Sequence, residues 1–357
     1  MSLKQTIIIT APYLINGGVS AFVGNITPFF RSNIKVFHRG SKSPVESSIV
    51  KARSFILLPY RFLFSVWKHK PQCIIVNTSL SINCLIRDGL IVYLSKLFRI
   101  KVLLIIHGFE EDSLKQIRLL KLGYFRSDAI IVLADIFRDL LVNVGYKQKI
   151  YVQHNPVHHD VFEYINANQS CYNNSSFKNF MFFSRIEIDK GIFIALDAFH
   201  LLVSEYPDIN LTVIGDGQAL NKAKKYVEDK LIPSITFTGF VTGREKLQLL
   251  SRCDTLLFPT SKEGLPISVL EAMAAGQIIV TRPVGGLVDL FKICKFGFCI
   301  SSKDPKDFSY AMREIIEQNE KFKKVRLNNA EFSKQYFHSK IIAQRIEGII
   351  ADMNGEC

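Results

Sequence analysis

Two glutamates eight positions apart are the first candidates for chemistry in this sequence. In SKEGLPISVLEAMAAG, residues 261–276, we expect Glu263 in a turn and Glu271 inside the helix that the turn begins. Pro266 suits the first position of that helix, because its missing N–H would have no partner there. Ionised carboxylates only accept hydrogen bonds, which suits the vicinal hydroxyls of a sugar or a ribose. The spacing therefore indicates a site for a polyhydroxylated ligand, with a capped surface helix as the alternative.

Two cations and a pair of glycines follow other apolar segments. Arg185 and Lys190 lie five positions apart in FFSRIEIDKG. At the end of a strand they would clamp a diphosphate, the arginine as a planar fork and the lysine as a point charge. Gly215 and Gly217 in VIGDG form a tight turn where backbone can approach a ligand. The alternatives are a solvated loop and a plain left-handed turn.

The N-terminal half offers weaker candidates. Gly17 and Gly18 precede a predicted helix whose N–H groups could face a phosphate, but NGGVS is not the GxGxxG pattern of dinucleotide sites. His107 follows the apolar segment KVLLII, at the end of a predicted central strand, where a structural imidazole is an equally good interpretation.

The elements that position these residues are short apolar runs alternating with helix-length segments such as 81–98 and 113–126. Continuous Ile, Val and Leu, without alternation, are typical of parallel strands covered on both faces. The runs are residues 5–10, 34–37, 73–77, 101–106, 129–134, 149–153, 180–184, 210–215, 234–239, 254–259, 277–281 and 296–300. They predict an α/β protein with two doubly wound, Rossmann-like domains facing each other across a cleft, with ligands at the carboxyl ends of the strands.

Domain boundaries follow from the polar stretch NANQSCYNNSSFKN. We expect a first domain over 1–165, a linker over 166–179, a second domain over 180–335, and a C-terminal helix over 336–357 that packs back across the domains.

Composition narrows the class of protein. Of 357 residues, 48% are hydrophobic and 22% charged, as in folded globular proteins. The start lacks the pattern of a signal peptide, and no apolar run has the length of a membrane span. Seven scattered cysteines indicate a reducing cytoplasm without disulfides or zinc. The net charge of +13 lies entirely within residues 1–158, which hold 21 basic and 8 acidic residues. That half therefore needs an anionic partner.

Taken together, SRIEIDKG, VIGDG and SKEGLPISVLEAMAAG followed by VGG resemble the retaining glycosyltransferase family 4, which has the GT-B fold. The resemblance covers the whole second domain and only NGGVS and HG in the first. Gln277-Ile278 departs from the family's usual Pro-Val, a difference that we expect to touch packing and not ligand.

The resemblance implies a role for each matching residue. Arg185 and Lys190 would bind the nucleotide diphosphate and stabilise the leaving group, Glu263 would contact the donor sugar, and His107 would lie near that sugar. Glu271 would accept from the ribose hydroxyls. The implied donor-binding residues are Gly17, Gly18, Gly215, Gly217, Gly264, Leu265, Pro266 and Glu271. No Asp-x-Asp occurs, so no metal ion or other cofactor is expected.

Two basic stretches rich in aromatic and leucine residues, 54–70 and 112–126, suit helices lying on an anionic membrane; the core faces of ordinary helices are the alternative. No nucleic-acid motif is present.

We therefore expect a transferase that moves sugar from a UDP- or GDP-linked donor to a lipid-linked glycan, peripheral on the inner face of the plasma membrane. Lipopolysaccharide O-antigen or capsule assembly is the expected pathway. A sugar-nucleotide epimerase, a non-catalytic binding protein and a nicotinamide oxidoreductase are the alternatives.

Overall fold

The computed structural model describes residues 5–13, 17–40, 46–109, 114–168 and 177–355. The chain divides into two compact units. Unit 1 comprises Met1–Pro156 with Ser339–Cys357, and unit 2 comprises Val157–His338. The first unit therefore contains both ends of the chain.

Unit 1 is built on a six-stranded parallel sheet of order β2-β1-β3-β4-β5-β6. Its strands are β1 (Thr6–Pro12), β2 (Asn33–Arg39), β3 (Cys73–Leu80), β4 (Lys101–Phe109), β5 (Ala129–Val132) and β6 (Lys149–Val152). Its helices are α1 (Gly18–Ile26), α2 (Ser48–Ile56), α3 (Leu58–His69), α4 (Ile82–Leu97), α5 (Ile117–Leu122), α6 (Asp135–Asn143) and, at the C-terminus, α15 (Ser339–Asn354).

Unit 2 repeats this plan with a six-stranded parallel sheet of order β12-β11-β10-β7-β8-β9. Its strands are β7 (Asn179–Phe183), β8 (Asn210–Ile214), β9 (Ile235–Gly239), β10 (Thr255–Phe258), β11 (Ile278–Thr281) and β12 (Gly297–Cys299). Its helices are α7 (His159–Ala167), α8 (Ile192–Val203), α9 (Leu220–Asp229), α10 (Gly243–Arg252), α11 (Ile267–Ala274), α12 (Gly286–Ile293), α13 (Pro305–Glu317) and α14 (Asn319–Tyr336).

Each predicted apolar run forms a strand, and the α/β class with two parallel sheets is confirmed. The reason is burial on both faces. In β3, for example, Ile74 and Val76 face one core cluster while Cys73 and Ile75 face the other, and all four are fully buried. A strand covered on both sides needs apolar residues at every position, and that makes the pattern easy to read.

Both unit boundaries differ from the predicted ones. Helix α7, which precedes the predicted linker, belongs to unit 2, where it contacts α10 and α11. Most of the predicted linker, 169–176, lies outside the described residues. At the other end the boundary falls between His338 and Ser339, and α15 joins unit 1, where Ile342, Ile346 and Ile350 complete one core.

The predicted helix over 113–126 is wrong as a continuous element. In its described part Leu114 is helical, Lys115 and Gln116 are not, and α5 and a 3-10 turn at Tyr124–Arg126 follow. A second interruption falls at Gly123, which packs against the backbone of Gly89 in α4; a Cβ there would lie 2.6 Å from the Gly89 Cα. This close contact needs glycine and ends the helix.

None of the helices within the described ranges is long and apolar enough to cross a membrane. Five cysteines lie in these ranges, and all are free thiols: Cys73, Cys84, Cys253, Cys294 and Cys299.

A buried ion pair attaches α14 to the sheet of unit 2. Arg326 Nη1 lies 3.0 Å from Asp254 Oδ1, and both side chains are about 5% exposed. Replacing Asp254 with alanine would leave the guanidinium buried without this carboxylate, so we expect the free energy of unfolding to fall by about 3–5 kcal/mol in urea denaturation. Glu320→Ala, in α14 itself, is the control. It breaks a pair with Lys323 in which the Glu320 side chain is 85% exposed, and should cost less than about 1 kcal/mol. Equal effects would contradict this assignment.

Candidate functional site

The strand order of unit 2 brings the predicted site residues to one place. Chain order reverses between β7 and β10, which are adjacent in the sheet, and ligands of doubly wound sheets bind at such a reversal. Arg185 and Lys190 lie in the turn after β7, and Glu263 lies in the turn after β10.

Lys190 and Glu263 form the centre of this site. Lys190 Nζ donates to Glu263 Oε1 at 2.8 Å and to the Lys262 carbonyl at 3.0 Å, and the Thr260 hydroxyl also donates to Glu263 at 3.2 Å. The two charged side chains are only 10% and 13% exposed. Burial raises the pKa of Glu263 above its usual value, against the opposing effect of the Lys190 charge. The pair places one fixed cation and one hydrogen-bond acceptor side by side.

The two turns are tied to each other through their backbones. The Ser261 N–H and hydroxyl both donate to the Asp189 carbonyl, each at 2.8 Å. Gly191 has φ +81°, and a Cβ there would lie 2.2 Å from the Pro259 carbonyl oxygen. This close backbone contact fixes the position of the turn that carries Lys190 relative to the turn that carries Glu263.

Arg185 is arranged differently from Lys190. Its side chain is 72% exposed and pairs with Glu187 at 3.0 Å. The structure therefore places Arg185 in the same turn but not in contact with the Lys190–Glu263 pair. A partly screened surface pair of this kind is weak, so the guanidinium can leave Glu187 for a stronger anion.

Glu271 lies inside α11 as predicted, and its side chain is 6% exposed. Its partner is Lys246 of α10, with Nζ 2.8 Å from Oε1. Nothing in the sequence marks Lys246, because it is one of three consecutive charged residues in a polar helix. The charge-assisted hydrogen bond from Lys246 fixes the position of the Glu271 carboxylate.

The turn that begins α11 is braced by glycines. Gly264 accepts a 2.6 Å hydrogen bond from the Gly286 N–H, and Leu265 is buried. Pro266 is the N-cap, one position before the predicted one, because α11 begins at Ile267. Gly285 has φ +52°, and a Cβ there would lie 2.0 Å from the Glu263 carbonyl oxygen.

Glycine is required at positions 215 and 217, because both residues pack closely against the backbone of the turn after β7. A Cβ on Gly215 would lie 1.9 Å from the Ser184 carbonyl oxygen, and one on Gly217 would lie 2.5 Å from that of Ile186. These two glycines therefore shape the turn that carries Arg185. Gln277 is fully buried and donates to the Leu250 carbonyl at 2.8 Å, so this departure from the family pattern lies in packing.

In unit 1, His107 belongs to a polar network at the carboxyl end of the sheet. Its Nε2 lies 2.9 Å from Asn77 Oδ1, and its ring packs edge-on against Phe22. Asn77 Nδ2 donates to the Thr10 carbonyl at 2.9 Å. Gly17 and Gly18, at the start of α1, are exposed, and nothing described lies within 4 Å of a Cβ built on either.

Desolvation and the nearby Arg39 charge lower the pKa of His107 to about 3, so the ring is neutral at physiological pH. Because the unfolded-state value is about 6.5, the unfolded chain binds this proton first, and stability should fall as the pH drops from 6.5 towards 3. We expect the His107 ring signals in NMR to stay constant between pH 8 and pH 5. In urea the same ring should titrate near pH 6.5. A folded-state midpoint above pH 5.5 would contradict this arrangement.

One group of side chains in the described ranges has the composition of a metal site. Ligand atoms of His158, His159 and Asp160 all lie within 4.8 Å of one another. The three residues are consecutive, and His158 Nδ1 accepts from the Asp160 N–H as the N-cap of α7. Helix capping therefore accounts for the His158 position.

Comparison with known proteins finds a family match for the C-terminal part of the chain. Residues 169–332 match the family Glycosyl transferases group 1. A Campylobacter jejuni protein, N,N'-diacetylbacillosaminyl-diphospho-undecaprenol alpha-1,3-N-acetylgalactosaminyltransferase, is 29% identical over 47% of this chain and 46% of its own length. The capsular polysaccharide biosynthesis glycosyltransferase CapM of Staphylococcus aureus is 22% identical over 64% of this chain and 63% of its own. The chain spans between 26% and 65% of the length of eight such curated relatives.

Solved structures agree on the fold. The Anabaena protein Alr3699/HepE, crystallised with UDP and glucose, superposes with a TM-score of 0.73 at 15% identity, covering 98% of this chain and 100% of that one. At this identity the likeness establishes the fold, which is GT-B.

Proposed function

We propose, from the match of residues 169–332 to the glycosyl transferases group 1 family, that the protein transfers a sugar from a nucleotide sugar to a glycan acceptor. We assign it to family 4, with retention of configuration at the transferred carbon. The observation that carries the proposal is the Lys190–Glu263 contact at the point where the strand order of unit 2 reverses. It places a cation for the diphosphate beside a carboxylate for sugar hydroxyls.

Each charged residue has a role in this proposal. Arg185 leaves Glu187 and binds the diphosphate together with Lys190, and both stabilise the charge that develops on the leaving group. Glu263 accepts from donor-sugar hydroxyls, and the backbone of Gly264, Leu265 and Pro266 lies beside the donor.

Glu271 accepts from the ribose, and Lys246 keeps that carboxylate in place. In unit 1, neutral His107 lies near the transferred sugar, and the exposed Gly17 and Gly18 allow the phosphates to approach the backbone. Gly215 and Gly217 support the donor turn.

In this proposal, protein side chains stabilise the negative charge of the leaving group. We therefore propose that the reaction needs no metal ion. Excess EDTA should therefore leave turnover unchanged. A loss of activity that Mg²⁺, Mn²⁺ or Zn²⁺ restores would contradict this and would direct attention to His158, His159 and Asp160.

We further propose a lipid-linked acceptor in surface-polysaccharide assembly and peripheral binding to the inner face of the plasma membrane. Supporting this, unit 1 carries 23 basic and 11 acidic residues, whereas unit 2 carries 22 and 21. Large apolar side chains on α2 and α3 are exposed in the same unit: Ile49, Ile56, Tyr60, Phe64 and Trp67, each by 60–80%. Of the aromatic residues predicted to face a membrane, Phe62 is instead fully buried. The printed names of the Campylobacter and Staphylococcus relatives point to the same kind of pathway.

Thermal-shift measurements with UDP, GDP and NAD, without added metal, test the donor site. A nucleotide at 100 times its Kd should stabilise the wild type by about 2.7 kcal/mol. Glu271→Ala should lose most of this stabilisation, measured against its own Tm without ligand. Glu245→Ala, an exposed acid on α10 next to Lys246, is the matched control and should keep it. Stabilisation by NAD alone, or equal stabilisation of both variants, would contradict the proposal.

A further inference from the structure

A cavity of about 250 Å³ in unit 1 is not used by the roles described so far. It lies among α2, α3 and α4, beside Gly40 at the end of β2. Its lining combines three apolar side chains with two cations and two small polar groups. These residues are Phe55, Leu58 and Ile86, then Lys51 and Arg87, then Ser54 and Asn83.

The charge of this cavity is positive. Arg87 is held by Asp88 through two hydrogen bonds, Nε to Oδ1 at 2.8 Å and Nη2 to Oδ2 at 2.9 Å. Asp88 is fully buried and also pairs with buried Arg39 at 3.2 Å. Two guanidinium groups thus share one carboxylate, and Lys51 adds a further cation. None of the described lining residues carries a carboxylate, so the cavity selects an anion.

The apolar walls limit which anion fits. Phe55, Leu58 and Ile86 would lie against a hydrocarbon and would gain nothing from a free inorganic ion. Helices α2 and α3, which supply Phe55 and Leu58, also carry the exposed apolar side chains Ile49, Ile56, Tyr60, Phe64 and Trp67. A cavity of this volume is smaller than a typical pocket for a whole ligand and suits a headgroup whose chain continues outside it.

The position of the cavity connects it to the reacting region. Arg39, which shares Asp88 with Arg87, also donates to the Asn77 carbonyl, and Asn77 in turn contacts His107 at 2.9 Å. Direct contacts therefore link the cation of the cavity to the histidine that we place near the transferred sugar. Such a connection suits the acceptor better than a bulk lipid of the membrane.

We infer that this cavity binds the phosphate group of the acceptor's lipid anchor, between Lys51 and Arg87, with the first part of the hydrocarbon chain against Phe55, Leu58 and Ile86. The inference rests on the proposed function, because it specifies the acceptor as a phosphorylated lipid. It assigns a ligand to Lys51 and Arg87 and to the three apolar side chains that line the cavity with them.

Titration of the full chain with farnesyl diphosphate, a soluble lipid diphosphate, tests this directly. Lys51→Glu should weaken binding at least tenfold, since it reverses one of the two charges at the headgroup. Arg53→Glu is the matched control on α2. Arg53 is exposed and does not line the cavity, so this variant should bind within twofold of the wild type. Farnesol and inorganic pyrophosphate should each bind at least tenfold more weakly than farnesyl diphosphate.

Several results would overturn the inference: equal weakening by Lys51→Glu and Arg53→Glu, pyrophosphate binding as well as the lipid, or lysophosphatidic acid binding as well as farnesyl diphosphate. The last of these would mean a general membrane-lipid site. Nucleotide thermal shifts on the same preparations separate this inference from the proposed function. If Lys51→Glu retains nucleotide stabilisation while no variant binds farnesyl diphosphate, the donor site stands and the lipid cavity does not.

Discussion

Replacing Arg185 with alanine is expected to lower turnover by two to three orders of magnitude while the protein remains as stable as the wild type. Loss of one donor to a developing negative charge costs about 3–4 kcal/mol of transition-state stabilisation. The side chain is 72% exposed and pairs only weakly with Glu187, so the free energy of unfolding should change by less than about 0.5 kcal/mol. Steady-state kinetics and urea denaturation of the same preparation check both parts.

Arg244→Ala provides the matched control, because Arg244 is an exposed arginine of α10 in the same unit. Its turnover should be unchanged. Lys190→Ala should differ from both variants: it should lose activity and also stability, since Glu263 would remain buried without its cation. Near-normal activity of Arg185→Ala would show that the diphosphate binds elsewhere.

Replacing Gly285 with alanine is expected to disrupt the donor turn itself. The new Cβ would lie 2.0 Å from the Glu263 carbonyl oxygen and 2.6 Å from that of Gly264, and the backbone has φ +52°. These atoms belong to backbone and cannot rotate away, so the turn must open. We expect a loss of at least about 3 kcal/mol in unfolding free energy, from strain and collision together, and loss of nucleotide-induced stabilisation.

Gly239→Ala separates these two causes. Gly239 also has a left-handed backbone, φ +74°, but nothing described lies within 4 Å of a Cβ there. This variant should show the effect of backbone strain alone, a loss of about 1–2 kcal/mol in unfolding free energy, and should bind nucleotide normally. If the two alanine variants behaved alike, the close approach of Gly285 to the Glu263 turn would not matter for the site.

Strand positions were the most predictable feature of this chain. Buried parallel strands such as β3 and β11 contain uninterrupted apolar runs, Cys73–Val76 and Ile278–Val280, so the hydrophobic pattern alone marks them. The helix bounds were less predictable where tertiary contacts decide them. The break at Gly123 depends on Gly89, which is 34 positions away, and no local propensity reveals this contact.

Site residues were predictable where a charged residue follows an apolar strand in the sequence. Glu263 and Lys190 are charged residues in the turns that follow apolar strands, and the sheet order then brings them together. Lys246 was not predictable, because its role depends on how α10 packs beside α11. The reason for Gly215 was also hidden, since only coordinates show that the Ser184 carbonyl occupies the space of its missing side chain.

The most direct test of the proposed activity is phosphorus NMR of the full chain incubated with individual UDP- and GDP-sugars in the presence of EDTA. Cleavage of the bond between sugar and phosphate must release a nucleoside diphosphate, even when water replaces the acceptor. We predict that at least one donor yields UDP or GDP with the wild type, and at least a hundredfold less with Arg185→Ala. Release of a nucleoside monophosphate, or equal rates for wild type and variant, would contradict glycosyl transfer at this site.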